Sequence, residues 1–455
     1  MLASGFSGAV FKGIDVKKSV VGVLVLLALV VLVSPGIVGR LAEKSMDENL
    51  NWAAQESGDV RVTSEHFTRG WFSSEGTHRV ELRDGDLRSA IMALAGPLDA
   101  TDELPVLIIH TKLDHGLIPV SSMSREQGSL APGLGSAVST LQIEMENGET
   151  LDIPGTIYSK VGLAGELLSN YVLEPGSHTE GDSTASWGAT DIQIKTDPTN
   201  STAAFHGTVS SVSIDDGREK MSLGSLTFAA NQASTEYGIA VGDVSFELQD
   251  LNGSVGGNSA GGLQSMSVMA ETALDGADVN AEATVSMVMQ GLPQFGEMSF
   301  DMEFGLAGAD AELLGRVQRT LEGTGVSQDP MAAYATAEND LLALFAAGFE
   351  MNFEQFNVTL PQGTVTSKML FSFEEKDPAG FTWTSLLLTT EAAIDLSIPE
   401  PLVEMLLQVQ PGMAMAIGGG YLVKSGDAYV LAAEMKKGLL TINGAPIPIP
   451  FGVVR

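Results

Sequence analysis

The chain of 455 residues has no cysteine, only four tryptophans and six tyrosines, and 24 lysines and arginines against 57 aspartates and glutamates. Without cysteine there is neither a disulfide framework nor thiolate chemistry, so core packing and sheet pairing must hold the fold by themselves. A formal net charge of −33 leaves no broad basic face to neutralise phosphates. That argues against nucleic acid and against electrostatic docking onto anionic lipid. Catalytic motifs are missing as well: there is no H-E-x-x-H, P-loop, or G-x-G-x-x-G opening a helix. The sequence therefore gives no sign of an enzyme and requires no cofactor.

What is present begins with one long uncharged run, SVVGVLVLLALVVLVSPGIVG at 19–39. It is long enough to cross a hydrocarbon core of roughly 30 Å as a helix. Lys12, Lys17 and Lys18 precede it, which places residues 1–18 in the cytoplasm and exports the rest. A cleaved signal peptide is the rival reading, because the strongest apolar part is short; a small-residue cleavage site is lacking, and the anchor is preferred. Residues 40–60 then read as a juxtamembrane helix with Leu41, Met46, Leu50 and Trp52 as its apolar points. On this reading the protein is anchored in a membrane through 19–39, with the bulk of the chain exported.

Past the stalk the pattern changes to short alternating segments separated by glycine, aspartate and asparagine. STLQIEM (139–145), DVSFELQDL (243–251), LQSMSVMAETAL (263–274), VNAEATVSMVM (279–289) and EMSFDMEFGL (297–306) are examples. Such spacing predicts an extended antiparallel meander over 61–307. A helical insert is expected at 308–349, where Leu313, Leu314, Val317 and Leu321 keep helical spacing and an alanine-rich amphipathic stretch follows Pro330. Residues 350–455 read as strands, TWTSLLLTTEAAIDLSI (382–398) among them, with one helix at 399–412. The glycine run of GMAMAIGGG (412–420) reads as a turn. So does SIDDGREK, where paired Asp215 and Asp216 suit a hairpin better than a site. The fold class is mainly β with inserted helices, a β-rich α+β protein behind an N-terminal transmembrane helix.

The stretch HFTRGWFSSEGTHRVEL (66–82) places Trp71 beside Phe72. With a period of two, Phe72, Ser74, Gly76, His78, Val80 and Leu82 share an inner face, while Ser73, Glu75, Thr77, Arg79 and Glu81 share an outer one. Phe67 has the opposite parity, so a bulge is expected at Gly70. These residues read as wall, not catalyst.

Two constellations compete for a functional role. His110, Asp114 and His115 in HTKLDH could serve a metal, yet residues five apart point to opposite faces of a strand, so a strand ending in a turn at Asp114-His115-Gly116 is expected instead. The second is a stripe of methionine and phenylalanine. Met298, Phe300, Met302 and Phe304 share one face of their strand, and Met266, Met269, Val268, Met287 and Met289 cluster in the two segments before it. A buried core is the plain reading of such a stripe. A long meander with one apolar face must nevertheless close, be capped by helices, or leave a groove for an apolar ligand such as a lipid chain. The alternative to a lipid binder is a structural or assembly protein that acts through self-association or protein partners.

Five segments in this order, KKSVVGVLVLLALVVLVSPGIVG at 17–39, TRGWFSSEG at 68–76, LDHGLIPV at 113–120, IYSKVGLAGE at 157–166 and KGLLTINGAPIP at 437–448, resemble the YdgA-like family of bacterial inner-membrane proteins. The family has no assigned function. The resemblance implies an inner-membrane location, an extended periplasmic part and homodimerisation, and it supplies no catalytic residues. Arg69, Gly70, Trp71, Phe72, Ser73, Ser74, Asp114, His115 and Gly116 carry its motifs as structural positions. Leu117 stands where the family's aromatic or proline follows D-H-G, with Pro119 two residues later.

Overall fold

The computed structural model describes residues 60–69, 73–82, 106–115, 135–144, 150–181, 183–197, 199–292, 296–324 and 330–447. The segments at 1–18, 19–39 and 40–59 lie outside them, as do Gly70, Trp71, Phe72 and Gly116. Among the described residues no helix is long and apolar enough to cross a membrane. The chain is mainly β: twenty-four strands and five helices are described, and the strands pair antiparallel. Two compact units result, one from residues up to Ala233 with Leu248–Ala260, the other from Ser234–Glu247 with Gly261 onwards. The strand-rich stretch read over 61–307 is thus shared between them.

In the first unit, the strands Val60–Arg69, Ser73–Leu82, Val106–His115, Gly135–Glu144, Thr150–Val161 and Leu167–Leu173 each pair with the next. Leu167–Leu173 then pairs with Thr190–Asp197, which continues to Thr202–Val209 and Ser225–Ser234. The parity expected around Glu75 is observed: Ser74, His78 and Val80 are buried to 2%, 3% and 1% exposure, whereas Glu75 faces water. The register shift in the first hairpin falls between Ser64 and His66. Leu107 lies opposite Val80, and further strands continue this face with Leu141, Ile143, Tyr171, Ile192 and Val209 buried. Thr111 bonds Ser139 and Ser159 bonds Ser169, each at 2.8 Å, so hydroxyls among these apolar neighbours satisfy one another.

The second unit contains the meander Asn258–Asp275, Asp278–Leu292, Gly296–Asp310, Phe349–Leu360, Gly363–Phe373, Thr390–Pro399 and Ala428–Lys436, paired in that order. Its helices are α1 (Ala311–Thr324), α2 (Pro330–Ala347), α3 (Trp383–Thr389), α4 (Glu400–Val409) and α5 (Pro411–Gly418). α1 starts where Asp310 Oδ1 accepts the Leu313 N–H at 2.8 Å. Gly315 lets α1 approach closely, since a Cβ there would lie 2.3 Å from the Tyr237 carbonyl oxygen. Three expectations are corrected here. Residues 383–389 are helical, because Thr382 accepts the Ser385 N–H and caps a turn that the leucine run then continues. Residues 411–418 are helical too, entered through Pro411, and only Gly419–Gly420 after them form the turn. Asp114 and His115 are strand residues opposite Ser136 and Gly135, not a turn.

Candidate functional site

The sheet of the second unit has two unlike faces, and pairing register decides which residue lies on which. Met266 is opposite Met287, Met287 opposite Phe300, and Phe300 opposite Val358. The next row runs Val268, Val285, Met302, Phe356, and further rows bring Met289 to Met298 and Ala283 to Phe304 to Phe353. Directly opposed residues share a face, so eight of the nine residues singled out in the sequence, Met266, Val268, Met287, Met289, Met298, Phe300, Met302 and Phe304, come together on one. Met269 does not join them. It faces Thr284 on the other side of the sheet and is 50% exposed. That other face is wet, with Ser286 donating to Asp301 at 2.7 Å and Glu271 opposite Glu282.

Sequence reading missed the continuation of the apolar face into Phe353 and Phe356. These are three residues apart, yet both meet the stripe, Phe356 against Phe300 with ring centroids 5.3 Å apart and Phe353 against Phe304 at 5.2 Å. A register shift there, with Phe353 opposite Phe304 and Gln355 opposite Glu303, leaves Glu354 as the extra residue and restores the parity. The shift is a tertiary feature that a strict period of two conceals. Signal for the rest existed in FNVTLPQGTVTSKMLFSF, whose Val358, Val365 and Phe371 alternate in step.

Among the described residues, helices cover this face only at its two ends. Near one end, Val317 of α1 and Leu344 of α2 bury Val279, Ala309 and Phe349, with Leu306, Leu341, Phe345, Met351 and Phe373 packed around them. Phe345 stacks on Phe349 at 5.6 Å and meets Phe373 edge-on at 4.9 Å. Near the other end, Leu402 and Val403 of α4 bury Ile398, with Leu360, Val365, Leu396 and Leu431 alongside and Met413 and Ile417 of α5 closing the cluster. Phe349 and Leu360 terminate the same strand, so the caps are a strand's length apart. Between them, Met287, Phe300, Met302, Phe304, Phe353 and Phe356 are half-buried, none reaching the core.

The described motif residues lie in paired strands and turns. Arg69 pairs with Ser74, Ser73 with Asp114, and Asp114 with Ser136, which pairs with Lys160, so three separated motif segments meet at one end of the sheet. In VGLAGE the Glu166 carboxylate folds beneath Gly162 and accepts the Ala164 N–H at 3.0 Å, closing a hairpin. In INGAP, Asn443 accepts from Ala432 N–H at 2.9 Å and donates to the Gly420 and Tyr421 carbonyls, both at 3.1 Å. His110 is engaged by Thr77 at Nδ1 (3.1 Å) and by Gln142 at Nε2 (2.9 Å). Because the Gln142 amide donates its Nε2–H to Asp152 at 2.6 Å, its oxygen faces His110, which therefore donates from Nε2. Both ring nitrogens are thus spoken for, and no group of three metal-binding side chains occurs among the described residues. Asp215 and Asp216 accept backbone N–H groups of Gly217, Arg218 and Glu219, the hairpin turn expected of them.

Comparison with known proteins adds kinship. The chain is 24% identical over 298 residues to "Protein YdgA" of Escherichia coli (strain K12), a match covering 60% of this chain and 56% of that protein. The chain therefore aligns with little more than half the length of that relative. No solved structure matches. A family model spans residues 16–450, nearly the whole sequence and all five motif segments. On that match the chain belongs to the family described as "Bacterial protein of unknown function (DUF945)".

Proposed function

We propose that this is a non-enzymatic, membrane-anchored protein of the bacterial cell envelope, exported to the periplasmic side, that holds a lipid or comparable apolar ligand on the methionine and phenylalanine face. One observation carries the reading: a continuous apolar sheet face is left half-buried between two helical caps, although the chain has helices available to cover it. From Met298 to Phe304 the stripe runs about 20 Å at roughly 3.4 Å per residue. Half of a roughly 30 Å hydrocarbon core is the reach of one acyl chain, so the floor is long enough for one. Methionine suits such a floor because its thioether accommodates irregular apolar shapes. The uncharged run at 19–39 supplies the tether.

The test is native mass spectrometry with lipid extraction on the full chain and on Phe300→Asp/Met302→Asp. Lipid bound in fixed stoichiometry to the parent and lost from the variant supports the reading. Equal lipid on both, or protein oligomers without lipid, would favour the assembly alternative. A reporter fused after Gly85 checks the topology, and activity confined to the cytoplasm would remove it.

A further inference from the structure

α5 is apolar around its whole circumference, yet among the described residues only one side of it is covered. Met413, Ala416 and Ile417 pack into the cluster around Val403 and Leu422, whereas Met415 on the outer side is 72% exposed. The glycine turn that follows presents Tyr421 at 41% and Val423 at 44% exposure, with the Tyr421 ring lying so close over Gly419 that a Cβ there would fall 2.9 Å from it. From Met405 to Val423 there is no charged residue, in a chain carrying 57 acidic and 24 basic ones. Lys424, at the rim, is paired with Glu400. A helix that is greasy all round normally lies within a protein core or in lipid.

We propose that this tip, Met415 with Tyr421 and Val423, docks into the surface of the lipid bilayer. The inference rests on the reading that residues 19–39 tether the chain to a membrane. Size argues against a protein partner: one short helix and a turn expose about eight residues, where a stable interface needs roughly 20–30 a side. Insertion into a bilayer needs no such area, because a tethered chain meets the surface at high effective concentration and a weak apolar contact suffices. Charge agrees with this choice. A body of net charge −33 is repelled by anionic headgroups, and an uncharged, apolar tip can enter the interface without a cationic patch. Since α5 belongs to the cap at one end of the apolar face, docking would set that end against the membrane, where a lipid would enter or leave.

The absence of cysteine allows a direct test. The full chain carrying Met415→Cys is labelled with an environment-sensitive fluorophore and reconstituted into phosphatidylcholine vesicles containing nitroxide-labelled phosphatidylcholine; Glu271→Cys, exposed on the wet face, is the control. The expected result is loss of most emission at position 415 and little loss at 271. Vesicle flotation with neither position quenched would overturn the docking, and disulfide cross-linking between copies of the unlabelled Met415→Cys chain would do so in favour of a protein interface. Failure to float would remove the tether and the docking together. Lipid analysis separates the two readings: bound lipid without quenching leaves the ligand proposal and removes the docking, and quenching without bound lipid does the reverse.

Discussion

Phe300 and Phe356 meet edge to face across neighbouring strands, centroids 5.3 Å apart and planes at 84°, yet both remain half-buried. They are diagonal neighbours, since Phe300 is directly opposite Val358 and Phe356 opposite Met302. An aromatic pair in this arrangement contributes about 0.5–1.5 kcal/mol beyond its area. A half-covered ring has less to lose on truncation than the roughly 3–5 kcal/mol of a fully buried one, so Phe300→Ser is expected to cost about 2 kcal/mol. The same change should remove bound lipid. Ser267→Ala, on the opposite face, should alter neither quantity. Denaturant titration and lipid extraction measure the two effects separately, and lipid retained by Phe300→Ser would count against the ligand face.

The cap made by α1 and α2 should behave differently from the open floor. Phe345 bridges Phe349, Phe373 and Trp383, and Trp383 Nε1 donates to Glu338 at 2.7 Å. Replacing Leu341 and Phe345 together by aspartate places two charges against the cluster around Val279 and Phe349. The expected outcome is a lowered melting temperature, increased binding of a hydrophobic dye and aggregation, because the end of the sheet is uncovered. A monodisperse variant of unchanged stability would show that the helices are not a cover.

The two preceding cases show what the sequence could and could not convey. Alternation from Ser74 to Val80 and from Met298 to Phe304 was legible because a strand sorts its side chains by parity alone, and the segments carried that signal locally. Met269 misleads for the same reason: it lies among methionines, but its parity sends it to the wet face. Phe353 and Phe356 could not be paired with the stripe without knowing where the register shifts. TWTSLLL looks extended by β-propensity, and only the Thr382 cap together with the packing of Trp383 on Phe345 makes it a helix. That the two helical clusters sit at opposite ends of one sheet face depends on contacts far apart in the chain, which no local pattern encodes. The eight residues of the stripe were readable, whereas the boundaries of the site were not.

A tight backbone approach in the first unit gives a test of packing. Gly155 has φ of +130°, and a Cβ there would lie 2.8 Å from the ring of Tyr171, which is itself 3% exposed. Gly155→Ala should therefore cost about 3 kcal/mol from overpacking and backbone strain combined. Adding Tyr171→Leu should relieve the steric share and leave the share due to φ. Full additivity in a double-mutant cycle would show that the ring does not limit this position.

Tyr171 also makes stability sensitive to alkali. Burial pushes its hydroxyl up from 10 to about 12, with the group donating to the Pro154 carbonyl at 3.2 Å. A raised pKa in the folded state means that the unfolded chain loses the proton first. The contribution is intact below pH 10 and is lost as pH rises toward 12, by about 3 kcal/mol at order of magnitude. The difference in unfolding free energy between the parent and Tyr171→Phe should shift by that amount across this window, and a constant difference would refute it.

Arg79 answers the acid limb of the same question. Its guanidinium binds Glu144 through two hydrogen bonds of 2.6 and 2.9 Å, with Glu65 at 3.3 Å and Glu81 at 3.9 Å. The bond to Arg79 holds the Glu144 carboxyl below its ordinary value of 4.5. For a depressed carboxylate the stabilisation is present above that value and disappears as pH falls through the lower, folded-state one. Both side chains are about a quarter exposed, 22% and 28%, so the pair is worth only about 1 kcal/mol at neutral pH. Glu144→Gln should lose that amount at about pH 7 and unfold with a shallower dependence on acid below pH 4.5. Arg79→Met should cost more than Glu144→Gln, because it leaves three carboxylates near one another without their cation, whereas the glutamine variant leaves Arg79 with Glu65 and Glu81. Unfolding titrations of both variants at neutral and acid pH decide it; equal losses at neutral pH would mean that the arginine serves Glu144 alone.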